Sequence, residues 1–222
     1  AFRGYFALED VTPEALAERL IDPAEYWGWP IGVAVHTQVA KQADVLQLLC
    51  QTPDVAPEVL AANYDHYEPR TQHGSSLSPS VHALCAARLG RAAEAYRYFR
   101  KSAFVDLEGD FKAVSGGTFI GGVHTAACAG TWQAAVLGFG GLRIDGEALH
   151  LDPLLPARWT RLAFGAVRRG QRVAVEVTAD AVTVRAHDGN RGAVPVRVAA
   201  RRFELEPGEV RREVRTPPDR GR

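Results

Sequence analysis

The sequence predicts an α+β chain in which a helical part, residues 1–141, is followed by a small antiparallel β-sandwich, residues 142–214. Helix start and stop signals recur along the first part, where Pro, Gly and polar residues separate apolar runs of helical spacing. After about residue 142 the apolar period shortens to strict alternation, as in the valines of 173–177. Residues 215–222 contain Pro and Arg but no apolar period, so they are predicted to form a disordered tail.

Boundary signals place the individual elements in order. Thr12 before Pro13 is an N-cap followed by proline at the first helical position, so a short helix begins there. Further helices are predicted at residues 39–50, 56–67, 81–89, 91–104 and 124–137. Gly90 separates two of them as a helical hairpin. Short strands are predicted at residues 173–177, 182–184, 194–198, 203–205 and 210–214.

The composition argues against several classes of partner. The 222 residues carry 26 basic and 26 acidic side chains, and this balance indicates neither a nucleic acid nor a membrane surface as partner. No apolar run approaches the length of a membrane span. Cys50, Cys85 and Cys128 each lie in a helical, apolar context, which predicts buried thiols in the reducing cytoplasm and no disulfide. No spacing of His and Cys is typical of a metal site.

Residues 67–79 contain the most chemical information, because a His, a Gly and two Ser precede the helix predicted at 81–89. A helix N-terminus carries unpaired N–H groups and a partial positive charge. Gly74 lets an anion approach the backbone, and Ser75 and Ser76 add hydroxyl donors. These features predict a phosphate cradle. For this stretch alone, a serine cap after a turn, with no ligand, is the commoner explanation.

Several short motifs occur along the chain in a fixed order. They are Val39-Ala40-Lys41-Gln42-Ala43-Asp44-Val45, Tyr64, Tyr67-Glu68-Pro69-Arg70-Thr71, His73-Gly74-Ser75-Ser76-Leu77-Ser78, Gly121-Gly122-Val123-His124-Thr125-Ala126-Ala127, Gly130-Thr131-Trp132-Gln133 and Gly138-Phe139-Gly140-Gly141-Leu142. This ordered series resembles family 65 of the glycoside hydrolases, over about residues 2–165. That family holds the inverting phosphorylases of maltose, trehalose, kojibiose and related α-glucosides, with a minority of hydrolases.

The resemblance implies both a fold and a reaction. The helices of residues 1–141 would be the C-terminal helices of an (α/α)6 barrel, and the β-sandwich would follow them. In such enzymes one carboxylic acid protonates the glycosidic oxygen. Inorganic phosphate attacks the anomeric carbon from the opposite face and gives β-glucose 1-phosphate. The expected partners are therefore an α-linked glucose disaccharide and inorganic phosphate as co-substrate, with no cofactor and no metal.

The resemblance also implies that the chain is the C-terminal portion of a longer enzyme. The general acid of the family is a Glu in a Pro-Asp-Glu setting upstream of the Lys-Gln pair. The acidic residues near the start of this chain do not stand in that motif, so no catalytic residue is assigned. The chain alone is expected to be inactive without the missing N-terminal part, and a homodimer is one expected assembly.

Matching to the family motifs assigns phosphate binding to Lys41, His73, Ser75, Ser76 and His124. Lys41 is assigned to the sugar substrate as well, together with Gln42, whose amide can both donate to and accept from glucose hydroxyls. Taken alone, Lys41 is also explained as a surface lysine, and a histidine that opens a helix, as His124 does, is usually a cap or a core residue. Residues 70–79 contain no Asp or Glu, so this loop offers donors for phosphate rather than a base for water.

Two alternatives remain open at this point. Glu68 is close enough in sequence to serve as a base, and the enzyme would then be a family 65 hydrolase such as an acid trehalase. We interpret Glu68 instead as structural, paired with Arg70 or with a backbone amide. The second alternative is a non-catalytic carbohydrate-binding or structural fragment. Phosphate-dependent release of glucose 1-phosphate favours a phosphorylase, and sugar binding without turnover favours the fragment.

Overall fold

The computed structural model describes residues 4–22, 27, 32–52, 54–107, 113–114, 118–119, 123–144, 146 and 148–215. The chain divides into two compact units, Ala1–Ala134 and Ala135–Arg222. The first strand of the second unit begins at Leu142, where the sequence changes from helical period to alternation. Among the described residues, no helix combines the length and the apolar composition needed to cross a membrane.

The first unit is helical. Its described α-helices are α1 (Pro13–Ala17), α2 (Asp44–Gln51), α3 (Pro57–Tyr67), α4 (Ser78–Arg88), α5 (Ala92–Ala103) and α6 (Thr125–Gln133). Two short strands, β1 (Ala113–Val114) and β2 (Thr118–Phe119), pair antiparallel. The predicted cap of α1 is confirmed, because Thr12 Oγ1 accepts a hydrogen bond from the N–H of Ala15. All six helices therefore overlap segments that the sequence predicted to be helical.

Helices α4 and α6 lie side by side and run in the same direction. A Cβ atom added to Gly130 on α6 would lie 2.2 Å from Ser80 Oγ on α4, so the missing side chain lets the two backbones approach. About one turn further along both helices, Ala83 and Ala134 belong to the same small buried cluster. Because later residues of α4 lie beside later residues of α6, the N-terminal ends of both helices lie at the same end of the pair.

Helix α5 returns between these two helices. Gly90 adopts a left-handed backbone conformation, with φ of 75°, in the turn that joins α4 to α5. Tyr98 on α5 packs into the cluster formed by Ala83 and Ala134. Near the end of α5, the hydroxyl of Ser102 lies 2.7 Å from that of Thr131 on α6. The first unit therefore contains two parallel helices with an antiparallel helix packed against both.

The second unit contains two four-stranded sheets. Its strands are β3 (Leu142–Ile144), β4 (Leu149–Leu151), β5 (Arg161–Arg168), β6 (Gln171–Thr178), β7 (Ala181–Ala186), β8 (Val194–Val198), β9 (Arg201–Leu205) and β10 (Val210–Val214). The strand order is β10-β7-β6-β5 in one sheet and β3-β4-β8-β9 in the other. One buried apolar cluster takes side chains from both sheets, for example Val175 from the first and Val196 from the second. This shared core is that of a sandwich.

The structure differs from the predicted antiparallel sandwich in two respects. Strand β4 pairs with β8 in parallel, while the other ladders of the two sheets are antiparallel. The strands β3, β4 and β5 were not predicted. The first two contain only three residues each, which is too short for an alternating pattern to appear. The third alternates poorly, because Gly165 and small residues interrupt it.

Two residues have a different setting from the predicted one. Arg215 was placed in the disordered tail, but its guanidinium donates to the carbonyls of Thr178 at 2.8 Å and Pro153 at 2.7 Å, and these bonds fix it beside the end of β10. The remaining tail, residues 216–222, lies outside the described residues. Cys50 and Cys85 are buried as predicted, whereas Cys128 is exposed because it lies on the outer side of α6.

Candidate functional site

A short backbone bridge forms the base of the candidate site. Ala40 pairs in parallel with Thr71. The N–H of Ala40 donates to the carbonyl of Arg70 at 2.9 Å, and the N–H of Gln72 donates to the carbonyl of Ala40 at 2.8 Å. Since the predicted Lys-Gln pair follows Ala40 directly, this bridge holds Lys41 beside the start of the loop that leads to α4.

The side chains of the Lys-Gln pair are exposed. Gln42 Nε2 donates to Asp44 Oδ1 at 2.9 Å, where α2 begins, so its amide is oriented by the first residue of that helix. The ammonium group of Lys41 has no acidic partner within the described parts of the chain. A compact, unpaired positive charge at this position is suited to an anion.

His73 is held inside the helical unit. Its backbone is left-handed, with φ of 56°, which is uncommon for a residue other than glycine. Its ring Nδ1 lies 2.9 Å from Ser78 Oγ, and its Nε2 lies 3.2 Å from the Tyr98 hydroxyl. That hydroxyl donates to Glu68 Oε1 at 2.5 Å. The bonds join the loop, the start of α4 and the middle of α5.

The ring of His73 is neutral. Burial lowers its pKa to about 3, and the nearby positive charges of Lys101 and Arg97 act in the same direction, as does His82. A consistent proton assignment has the Ser78 hydroxyl donating to Nδ1 and Nε2–H donating to the Tyr98 oxygen. The sequence assigned the His73 side chain to phosphate. In the structure both ring nitrogens have protein partners, Ser78 and Tyr98, so neither nitrogen is free for an anion.

The loop before α4 presents free donors. Within the described residues, the N–H groups of Gly74, Ser75 and Ser76 have no acceptor. Ser75 Oγ accepts from the N–H of Leu77 at 3.3 Å, while the hydroxyl of Ser76 has no bond within that same part of the chain. Three successive unpaired N–H groups beside a helix start are the elements of an anion site.

His124 lies immediately before α6 and is clamped by one carboxylate. Asp106 Oδ2 accepts from the backbone N–H of His124 at 2.9 Å, and Asp106 Oδ1 lies 2.5 Å from its Nδ1. The His124 side chain is 10% exposed, and its Nε2 is buried with no hydrogen-bond partner among the described residues. The clamp makes Nδ1 a donor to the carboxylate, so Nε2 is the nitrogen left for a ligand.

The two helix starts next to the predicted residues lie at one end of the helical unit. Ser75 and Ser76 precede α4, and His124 precedes α6. Because these helices are parallel, both N-termini lie at the same end, and Lys41 lies at the base of the same loop. The described residues contain no group of three or more His, Cys, Asp or Glu side chains that could bind a metal ion.

Two functional contacts were missed or misassigned at the level of sequence. Asp106 belongs to no motif, because it lies 18 residues before His124 in the chain and no local pattern links the two. Glu68 is structural, as interpreted, but its partners are the Tyr98 hydroxyl and the guanidinium of Arg97, at 3.1 Å. Arg70, its predicted partner, bonds to Asp10 instead, with a distance of 2.7 Å from Nη2 to Oδ2.

Comparison with known families shows which family the sequence matches. The model of the glycosyl hydrolase family 65 central catalytic domain matches residues 3–133, and that of the family 65 C-terminal domain matches residues 142–205. The chain belongs to glycosyl hydrolase family 65. The resemblance seen in the ordered motifs is therefore confirmed, and the two compact units correspond to the two parts of family 65 that the models describe.

The similar family 65 proteins are named as phosphorylases. The 1,2-alpha-glucosylglycerol phosphorylase of Bacillus selenitireducens is 49% identical over 185 residues, which cover 82% of this chain and 24% of the relative. The nigerose phosphorylase of Lachnoclostridium phytofermentans is 40% identical over 184 residues, with coverages of 82% and 24%. The kojibiose phosphorylase of Caldanaerobacter subterraneus subsp. tengcongensis is 39% identical over 210 residues, with coverages of 92% and 26%. The chain spans about a quarter of the length of these relatives.

A solved structure has the same fold. The chain called "Putative kojibiose phosphorylase from human microbiome" superposes with a TM-score of 0.82 and 28% sequence identity, over 97% of this chain and 30% of that one.

Proposed function

We propose that the chain supplies the phosphate-binding part of the active site of an inverting α-glucoside phosphorylase. The observation that carries the proposal is the buried, unpartnered Nε2 of His124, held by Asp106 at the same helix end as the free N–H groups of residues 74–76. A nine-tenths buried ring nitrogen without a partner is costly unless a ligand satisfies it. A helix N-terminus favours an anionic ligand.

The proposed phosphate ligands are chain groups that donate hydrogen bonds. The N–H groups of the loop and the Ser76 hydroxyl bind phosphate oxygens directly, and Nε2 of His124 forms a further hydrogen bond to the anion. Lys41 adds an ammonium group from the base of the loop and also faces a sugar hydroxyl. Gln42 orients the glucose unit that is cleaved. His73 holds the loop in its left-handed conformation and does not touch the anion.

The proposed reaction needs no second carboxylate at this site. A phosphate oxygen forms a bond to the anomeric carbon while the glycosidic C–O bond on the opposite face breaks. The departing oxygen takes its proton from a general acid that we expect outside residues 1–222. The product is β-glucose 1-phosphate. Because Glu68 is committed to Tyr98 and Arg97, it is not placed to act as a base for water, which favours phosphate over water as nucleophile.

The proposed fold is the C-terminal part of an (α/α)6 barrel, residues 1–141, followed by a sandwich domain, residues 142–214. Supporting this, α4 and α6 are parallel and α5 returns between them, which is the repeating unit of a barrel built from helical hairpins. The catalytic end of such a unit would be the end that carries the loop before α4 and His124.

The test measures phosphate and sugar kinetics separately in the complete protein. Replacing His124 or Lys41 by Ala removes a charge-assisted hydrogen bond of about 1.5–3 kcal/mol, so phosphate affinity should fall about 10- to 100-fold. Sugar affinity without phosphate should change little for His124→Ala. His187→Ala is the control, because His187 is exposed in the second unit, where its ring Nδ1 accepts from the backbone N–H of Gly189.

The product distinguishes the rival hydrolase. Glucose 1-phosphate formed from maltose, trehalose or kojibiose only when phosphate is present supports the proposal. Free glucose released at the same rate without phosphate would instead support a hydrolase. Residues 1–222 assayed alone should give no turnover, because general acid catalysis contributes about 10²–10⁴-fold and the acid is expected elsewhere. Turnover by residues 1–222 near the rate of the complete protein would contradict the proposal.

A further inference from the structure

A row of basic side chains crosses one sheet of the sandwich. In the sheet β3-β4-β8-β9, Arg143 pairs with His150, His150 pairs with Arg197, and Arg197 pairs with Arg202. Residues that are paired directly across neighbouring strands lie on the same face of the sheet. The four strands therefore place four basic residues in one straight row, which we call the basic row.

The basic row faces away from the core. The residues that alternate with it along the strands, among them Leu149, Leu151 and Val196, are buried between the two sheets. Arg143, Arg197 and Arg202 are exposed, and His150 is half-buried between its neighbours. An exposed row of this kind is available to a ligand from solvent.

Part of the basic row lines a concave pocket. The pocket is formed by Arg143, His150, Leu151, Asp152, Arg197 and Ala199. Arg197 Nε donates to the carbonyl of Ala199 at 2.8 Å, which orients its guanidinium and leaves the terminal N–H groups available. Within the described residues, Arg143 has no ion-pair partner. The pocket therefore combines two long cationic side chains with one imidazole and one exposed carboxylate.

Strand spacing sets how these groups can act together. Neighbouring strands lie about 4.8 Å apart, so Arg143 and Arg197, which flank His150, are separated by about 10 Å at the backbone. Two arginine side chains can close this distance from opposite sides and meet above the imidazole. Guanidinium groups bind tetrahedral oxyanions through paired N–H bonds. Arg197 also pairs directly with Arg202, and opposed like charges are unfavourable in a sheet, which favours an anion beside Arg197.

We propose that this pocket binds a phosphate monoester of a polyhydroxy compound, such as a sugar phosphate. The phosphate group lies between Arg143 and Arg197, above His150. Asp152 at the edge of the pocket accepts hydrogen bonds from hydroxyl groups of the ester. Inorganic phosphate has no sugar hydroxyl groups to donate to Asp152, so the ester makes additional bonds and binds more tightly. This site lies wholly within the second unit and does not depend on the function proposed for the first.

The probe is glucose 6-phosphate, in which the anomeric carbon carries no phosphate. Its binding to the whole chain is measured by calorimetry, and its effect on the midpoint of thermal unfolding is measured in parallel. We expect saturable binding that raises this midpoint. Arg143→Ala and Arg197→Ala should each weaken binding tenfold or more. Asp152→Ala removes the acceptor and should remove the preference for glucose 6-phosphate over inorganic phosphate.

Two controls make the result decisive. Arg212→Ala removes an exposed arginine from β10 in the other sheet and should bind like the unmodified chain. Lys41→Ala, in the first unit, should also leave glucose 6-phosphate binding unchanged. Equal losses for Arg143→Ala and Arg212→Ala, or no saturable binding, would overturn the inference. Loss of glucose 6-phosphate binding in Lys41→Ala would also overturn the inference, because the ester would then bind in the first unit. That result would not contradict the phosphorylase site proposed there.

Discussion

Replacing Asp106 by Asn tests the clamp on His124. The carboxylate accepts from the backbone N–H of His124 and from its ring Nδ1, at 2.9 and 2.5 Å. The Asn side chain has one oxygen and one NH2 group, so it can satisfy only one of these donors and brings no negative charge. The variant therefore loses one charge-assisted hydrogen bond, which contributes about 1.5–3 kcal/mol.

This loss should appear in phosphate binding. The carboxylate holds the His124 ring through Nδ1, and without this bond the ring is free to turn its Nε2 away from the anion. The phosphate KM of the complete protein should rise about 10- to 100-fold, because 1.4 kcal/mol corresponds to a factor of ten. The KM for the disaccharide should change less than twofold, since both short hydrogen bonds of Asp106 go to His124, which is proposed to bind phosphate.

A matched control separates positioning from general destabilisation. Asp65→Asn removes a carboxylate that bonds to Arg91 on the surface of the helical unit, and it should leave both KM values unchanged. The thermal midpoint of each variant is recorded to confirm folding. An unchanged phosphate KM in the folded Asp106→Asn protein would refute the clamp. Equal rises in the phosphate and disaccharide KM would show a structural role only.

Three further predictions concern the helical unit. Tyr98→Phe removes the hydroxyl that accepts from Nε2–H of the buried His73 ring. The free energy of unfolding, measured by urea denaturation, should fall by about 1–3 kcal/mol, whereas Tyr67→Phe should have little effect. Burial lowers the pKa of His73 to about 3 in the folded chain, so below about pH 6.5 the unfolded chain binds a proton that the folded chain does not. The free energy of unfolding should therefore fall as the pH decreases from about 6.5 to 5, and His73→Asn should weaken this dependence on pH. Gly130→Ala should cost about 1–3 kcal/mol, because the new Cβ would lie 2.2 Å from Ser80 Oγ.

Each of these outcomes has a clear contradiction. Equal midpoints of urea unfolding for Tyr98→Phe and the unmodified chain would show that the bond between Tyr98 and His73 does not stabilise the fold. A slope between pH 6.5 and 5 that persists in His73→Asn would assign the titration to other groups, and His82, whose pKa burial also lowers, would be the next to vary. Gly146→Ala is the control for Gly130→Ala, because nothing lies within 4 Å of its added Cβ.

Much of the fold and part of the site were accessible from the sequence. The Pro and Gly signals fixed the helices, since a backbone that lacks an N–H or a Cβ has few conformations available. Alternation fixed five strands of the sandwich, because neighbouring residues of a strand face opposite sides. The ordered motifs identified family 65 and pointed to the loop of residues 73–76. Each of these signals acts between residues that are close in sequence.

The tertiary structure decided which groups of the site remain available. His73, Ser76 and His124 were equal candidates in the sequence, yet the fold turns the first inward to Tyr98 and Ser78. Asp106 holds the ring of His124, while the hydroxyl of Ser76 has no bond among the described residues. The parallel pairing of β4 with β8, which places His150 beside Arg197 in the basic row, could not be predicted from the sequence either. Hydrogen bonds and strand registers of this kind join residues far apart in the chain, so they depend on packing that no local pattern of residues specifies.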